Sequence, residues 1–319
     1  MARVLDGIDA FLDQIGSVEV TALLLAVLCH LLKMGCTSRA WRNVLAAAYP
    51  RTPVRWRDVY GAYLAGVGVN AIVPVRGGDA VRIYLAHRAV PHSTYTTVIS
   101  STLVLTIFDL TAATLLFAWA VSVGALPGLD VLPRLESFDF AFLLDRPLAF
   151  ELTLAGAFVG LAVLGVWVHG HVRNFWGRVR QAFSVLRPPT LYLRRVAVWQ
   201  AGDWLLRLAT IWFLLDAYDI PQSLHNAALV QVSQSTATIL PITPSGLGTE
   251  QAFLLYVLSG VAPASVLLAF SVAARLTITA VNVVAGFTAI AITMRTVRYA
   301  EVVGKTGARS RELQSRENP

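Results

Sequence analysis

NAIVPVRGGDAVRIYLAHR, running from Asn70 to Arg88, decides how this chain is read. It follows an apolar, glycine-rich run at 58–74, yet it carries a proline, paired glycines, one acid and three arginines. Backbone at membrane depth must be hydrogen-bonded within its segment or must face protein or water. The break at PVRGGD therefore predicts one helix that stops inside the protein and a second that restarts there.

The rest of the composition agrees with membrane depth. Of 319 residues, 56% are hydrophobic and 14% are charged, well below the charge of about 25% in soluble domains. Several windows of about 20 residues are nearly free of charge, enough to cross a bilayer. The expected class is all-α, a polytopic helical membrane protein. Its net charge of +7 is gathered into three blocks, Lys33 to Arg57, Arg173 to Arg195, and Arg295 to the end. The blocks flank apolar spans, which argues against nucleic acid as a partner and places them on the cytoplasmic side. Cys29 and Cys36 share the first span and read as small apolar filler. The N-terminal MARVLDGIDAFLDQIG has acids where a cleavable signal needs bases.

Charge bias also sets the path of the chain. Residues 4–15 predict a short amphipathic helix on a surface. A span at 18–36 runs from outside to inside, and a basic cytoplasmic loop then holds Arg39, Arg42, Arg51, Arg55 and Arg57. Residues 93–125 form a long helix ending in an acidic outer loop with Asp130, Glu136, Asp139 and Asp145. For both to hold, 58–90 must enter and return on the cytoplasmic face as a broken hairpin. Residues 148–169 cross inward and 196–215 cross outward. A second break, LPITPSGLGTEQ, makes 224–262 a hairpin open to the outside, and 264–294 runs inward. The N-terminus is expected outside, and the C-terminus in the cytoplasm.

Both halves then share one plan in opposite orientation: span, broken hairpin, long helix. Asp79 precedes Pro91 by 12 residues and Glu250 precedes Pro263 by 13. Thr102, Thr106 and Asp109 have the same spacing as Arg275, Thr279 and Asn282. Inverted repeats with paired discontinuous helices point to a site near the midplane. The expected domains are a surface segment at 1–17, a transmembrane domain at 18–296 with halves 18–125 and 196–296, and a basic, disordered tail at 297–319.

Each break is followed by a half-helix whose free N–H groups and dipole attract anions. Candidate substrate-binding residues are Asn70, Arg76, Gly77, Gly78, Asp79 and Arg82 at the first tip. Ser245, Gly246, Gly248, Glu250 and Arg275 are the candidates at the second. The glycines let a ligand approach the backbone. Arg275, costly in an apolar helix, needs an acid or a path, with Glu250 or Asp79 as its partner. Asp79 and Glu250 read as caps or as holders of the arginines, with binding of a cation or proton as the less favoured alternative that would make them carriers in ion-driven transport. Asp109, Gln231, Gln234, Thr279 and Asn282 are candidates for a coupling or polar path, and the stripe Gln231, Gln234, Ser235, Thr238 faces the bundle. Asp203 and Arg207, four apart on one span, pair with each other. No His arrangement suggests a metal, and no cofactor is expected.

These stretches resemble the flippase-like membrane family, the transmembrane region shared with lysylphosphatidylglycerol synthases. RAWRNVL is similar to its Arg-Trp junction. NAIVPVRGGDAVRIYLAHR is similar to its first signature, and LPITPSGLGTEQAFL to its second; AARL followed by Gly286 fits its closing helix. The resemblance covers residues 36 to 295. It departs where many members hold Glu-Arg before the acid matching Asp109, since Leu105 and Thr106 stand here. Many members also have an extra N-terminal span, and the aminoacyl-transferase domain of full synthases has no counterpart. The resemblance implies lipid translocation between leaflets of the cell membrane, without lipid synthesis.

The expected function is a lipid transporter, not an enzyme, moving a charged phospholipid or polyprenyl phosphate. It would be passive or ion-driven, because no phosphate-binding G-x-x-x-x-G-K-[ST] occurs. The alternatives are a non-transporting lipid-binding partner of envelope-synthesis proteins and, less favoured, a membrane-embedded transferase, for which paired metal-binding acids are wanting.

Overall fold

The computed structural model describes residues 18–73, 77–125, 177–186, 188–239 and 248–317. Among them the chain is helical and has no strand. The principal helices are α1 Val20–Ala48, α2 Trp56–Ile72, α3 Gly77–Ala89, α4 Tyr95–Ser122, α5 Val198–Ala217, α6 Leu224–Ile239, α7 Thr249–Val257 and α8 Ala264–Glu317. Short turns at Phe183–Leu186, Pro189–Tyr192 and Leu193–Ala197 lead into α5. The surface helix expected at 4–15, the acidic loop after α4 and the crossing at 148–169 lie outside the described residues.

Local chemistry explains the main boundaries. A residue before proline is pushed out of the helical region. Tyr49 precedes Pro50 and Val73 precedes Pro74; each ends its helix with a non-helical backbone. The α4 helix begins at a threonine cap, where Thr94 Oγ1 accepts from the Thr97 N–H at 3.3 Å.

Among the described residues, three helices are long and apolar enough to cross a membrane: Val20–Ala48, Tyr95–Ser122 and Ala264–Ile292. Their apolar side chains face outward. Leu24, Leu28 and Leu32 on α1, Leu103, Leu110 and Leu115 on α4, and Leu276 and Val284 on α8 are all exposed. Small and polar residues such as Ala22, Ala26, His30, Ser38, Ser100 and Ser101 are buried beside large apolar ones such as Met34 and Trp41. The α5 helix carries Asp203, Arg207 and Asp216 and stands apart from this apolar set; its 20 residues reach about 30 Å.

The α1 helix is the axis of the structure. It packs antiparallel on α5: the Glu19 N–H donates to Ala217 O at 3.0 Å, and Asn43 Nδ2 donates to Arg195 O at 2.5 Å. Near the α1 N-terminus, Ala22 and Ala26 join α5 to α8 in one apolar cluster with Leu215, Leu229, Leu258 and Phe270. Near its C-terminus, Trp41, Val44 and Leu45 join α2, α3 and α4 in a second, with Val59, Ala86, Val98 and Val104. The pair α6–α7 thus sits at one end of α1 and the pair α2–α3 at the other.

One boundary corrects the sequence reading. The first span was expected to stop at 36, with Arg39 and Arg42 in a loop, but α1 continues to Ala48. Ala40, Trp41, Val44, Leu45 and Ala48 form an apolar helical face that is buried, so packing extends the helix beyond the membrane-compatible run. The α8 helix runs on through the basic tail to Glu317. Its Ala, Glu, Arg and Lys residues are strong helix formers.

Candidate functional site

The first hairpin closes backbone to backbone. At Gly78, a Cβ would collide with Gly66 O and the Asn70 backbone; at Gly66, a Cβ would lie 2.6 Å from Arg82 Cβ. The space beside the Gly78 Cα is therefore filled by the neighbouring helix. Asn70, in the last turn of α2, ties the restart. Its Oδ1 accepts from the Gly78 N–H at 2.7 Å, and its Nδ2 donates to Asp79 Oδ1 at 3.0 Å. The same carboxylate oxygen lies 3.4 Å from Arg82 Nε, and the Arg82 guanidinium sits over the Trp41 ring at 5.9 Å. Asp79 thus holds Arg82, and Asn70 caps α3 from across the hairpin. Gly77 starts α3 with Val73 Cγ1 3.0 Å from where its Cβ would stand. Arg76 lies outside the described residues.

The second hairpin repeats the combination with other parts. The α7 helix begins after Gly248, whose φ of +88° suits glycine and whose surroundings are open. The Gly248 N–H donates to Gln251 Oε1 at 2.7 Å, so Gln251, which the sequence reading passed over, caps the half-helix. Glu250 is free to pair elsewhere. Arg275 of α8 donates to Glu250 Oε2 at 3.1 Å, and the Gln234 side chain also reaches that carboxylate. Arg275 therefore meets one of its two expected partners. Ser245 and Gly246 lie outside the described residues.

The other polar candidates separate. Gln231 is buried and donates to Ser235 Oγ at 3.1 Å. Asn282 Oδ1 lies 2.8 Å from His30 Nε2, across α8 and α1. Thr279 is half-buried on the same helix. The Thr102 and Thr106 hydroxyls donate to carbonyls of α4 itself, and Asp109 Oδ1 accepts from Trp204 Nε1 at 2.9 Å. Asp203 and Arg207 pair as expected at 2.8 Å. Thr37 adds a second donor to Asp203 at 2.6 Å, a contact whose only trace in sequence was the helical spacing of His30, Lys33 and Thr37.

The α2 helix also crosses α8 closely. A Cβ on Gly68 would stand 2.6 Å from Gly286 Cα. Each hairpin is therefore fastened to α8, the first by glycine contact and the second by the Glu250–Arg275 pair.

An outward apolar shell, inward polar pairs and two interrupted hairpins define an integral membrane protein with charge at its helix breaks. The chain belongs to the family of the lysylphosphatidylglycerol synthase TM region, whose sequence profile matches residues 3–286. No characterised protein and no solved structure matches it.

Proposed function

We propose that this protein moves a charged, phosphate-bearing lipid between the two leaflets of the cell membrane. The observation that carries the reading is a repeated unit: a helix break, a glycine at or near the restart, and an acid–arginine pair on the restarting helix or its neighbour. At the first tip the pair is Asp79 with Arg82, and at the second Glu250 with Arg275. Each arginine is about a third exposed or less, at 26% and 33%, so each guanidinium is within reach of an anionic headgroup while its acid offsets the cost of burial. The hairpins pack at opposite ends of α1, which supports one tip opening to each face, in the manner of alternating access around an inverted repeat. On this reading the headgroup passes between the tips and the acyl chains stay in lipid.

The test is leaflet exchange of labelled anionic phospholipid and of polyprenyl phosphate in proteoliposomes. The wild type is expected to accelerate exchange of one class. Arg275→Gln and Arg82→Gln each lower that rate at least tenfold, the size of one lost charged hydrogen bond of about 1.5 kcal/mol or more. Glu250→Gln with Arg275→Gln, which leaves no unpaired acid at the tip, folds and still does not exchange lipid. Exchange that survives both arginine changes would sink the tip site. Binding of the same lipids without exchange would favour a non-transporting partner of envelope-synthesis proteins.

A further inference from the structure

A polar cluster lies away from both tips, in the interior face of α1. His30, Lys33 and Thr37 are spaced to share that face. His30 is bonded to Asn282, and Thr37 donates to Asp203 Oδ1. Asp203 Oδ2 receives Arg207 at 2.8 Å, and the Arg207 guanidinium lies 4.8 Å from the centre of the Trp204 ring. Trp204 Nε1 then donates to Asp109 Oδ1. Hydrogen bonds and one cation–π contact thus link α8 to α1 at His30, and α1 to α5 and α4 from Thr37 onward.

Two members of this cluster are incompletely satisfied. Among the described residues the Lys33 ammonium has no hydrogen-bond or ion-pair partner, although Asp109, Asp203 and Arg207 are its electrostatic neighbours. Asp109 has one donor, the indole, and its other oxygen has none among the described residues. Asp203, by contrast, accepts two short hydrogen bonds, from Thr37 and from Arg207. Four further titratable groups are in reach: His30 neighbours Lys33, Asp203 and Arg207, Cys36 neighbours Asp203, Tyr192 neighbours Asp109, and Tyr63 neighbours Asp203, Arg207 and the Thr37 hydroxyl. With Lys33 and Arg207 charged and both acids ionised, the four charges cancel, and one added proton leaves the cluster at +1. In low dielectric such a step changes the energy of every nearby charge.

We infer that α1, α4, α5 and α8 hold a second functional site, a proton-carrying cluster centred on Asp109 and Lys33. A proton from water bonds to the free Asp109 oxygen, and the same O–H breaks when the proton leaves on the other side. Lys33 sets the affinity of that oxygen, Asp203–Arg207 is the fixed pair beside it, and Trp204 holds the carboxyl in place. That the proton drives lipid exchange rests on the proposed transport; the proton site itself does not.

The full chain in proteoliposomes tests both parts. Infrared difference spectra between acid and neutral buffer are expected to show the carbonyl band of a protonated carboxyl. Asp109→Asn removes that band. Trp204→Phe keeps it but moves its midpoint up by about one pH unit, because the carboxylate loses a donor. With the lumen one pH unit more acidic than the outside, inward and outward lipid exchange differ by up to about tenfold in the wild type. In Asp109→Asn and Lys33→Gln this ratio falls to one, and Lys33→Arg keeps it. A band that survives in Asp109→Asn, or no band in the wild type, overturns the site. A gradient ratio that persists in both Asp109→Asn and Lys33→Gln overturns its coupling. A titrating band in a protein that exchanges no lipid upholds the proton site and removes the transport reading alone.

Discussion

Asn70 has two separate duties at one position. Its carbonyl oxygen satisfies the Gly78 N–H at the restart of α3, and its amide donates to the Asp79 carboxylate that faces Arg82. Alanine there would leave an orphan helix N–H and free the acid to move. Asn70→Ala is expected to cost about 1 kcal/mol, measured as a lower unfolding temperature in detergent, and to lower lipid exchange with it. Asn70→Asp keeps the acceptor for Gly78 but sets a second carboxylate against Asp79, so it should harm exchange at least as much as alanine does. Equal behaviour of Asn70→Ala and wild type in both assays would mean that the hairpin tip is held by other contacts.

Between helices, glycine decides how close two axes can come. Gly68 and Gly286 bring α2 and α8 into backbone contact, while a Cβ at Gly35 of α1 would meet nothing within 4 Å. Substitution by alanine therefore has opposite signs at the two places. Gly35→Ala is expected to be neutral or to stabilise α1 by up to about 1 kcal/mol through helix propensity. Gly286→Ala must push α2 off α8, and overpacking of this kind costs about 1–3 kcal/mol. Thermal unfolding of the two variants side by side checks the difference in sign. A similar contrast applies to α1 itself, whose C-terminal half survives as helix because Trp41 is buried, donates to Ser101 Oγ at 2.8 Å and lies under Arg82.

Over the whole molecule, the two apolar clusters mark two ends. The turn at Arg51 follows the C-terminus of α1, and Gln222 follows α5, whose C-terminus meets the start of α1. With α1 crossing the bilayer, the two turns emerge on opposite faces. Single cysteines at Arg51 and Gln222, in a chain with Cys29 and Cys36 replaced by Ala, are expected to react with an impermeant maleimide from opposite sides of sealed vesicles. Labelling of both from one side would rule out the paired hairpins opening to two faces, and with them the alternating-access scheme.

The sequence by itself determined the helical membrane class, the two interruptions and the sites of the charged pairs. Hydropathy, proline and glycine act locally, and lipid leaves the backbone little choice but helix. It also made Asp203 and Arg207 partners, since four residues on one helix bring side chains together. Only the tertiary structure decided that Gly78 serves a helix crossing, that Arg275 takes Glu250, and that Gln251 does the capping. It alone gathered His30, Lys33, Thr37, Asp109, Trp204 and Asn282, which lie up to 252 positions apart. A hydrogen bond between distant helices leaves no periodic trace in either one; it exists only once packing has set their rotation and depth.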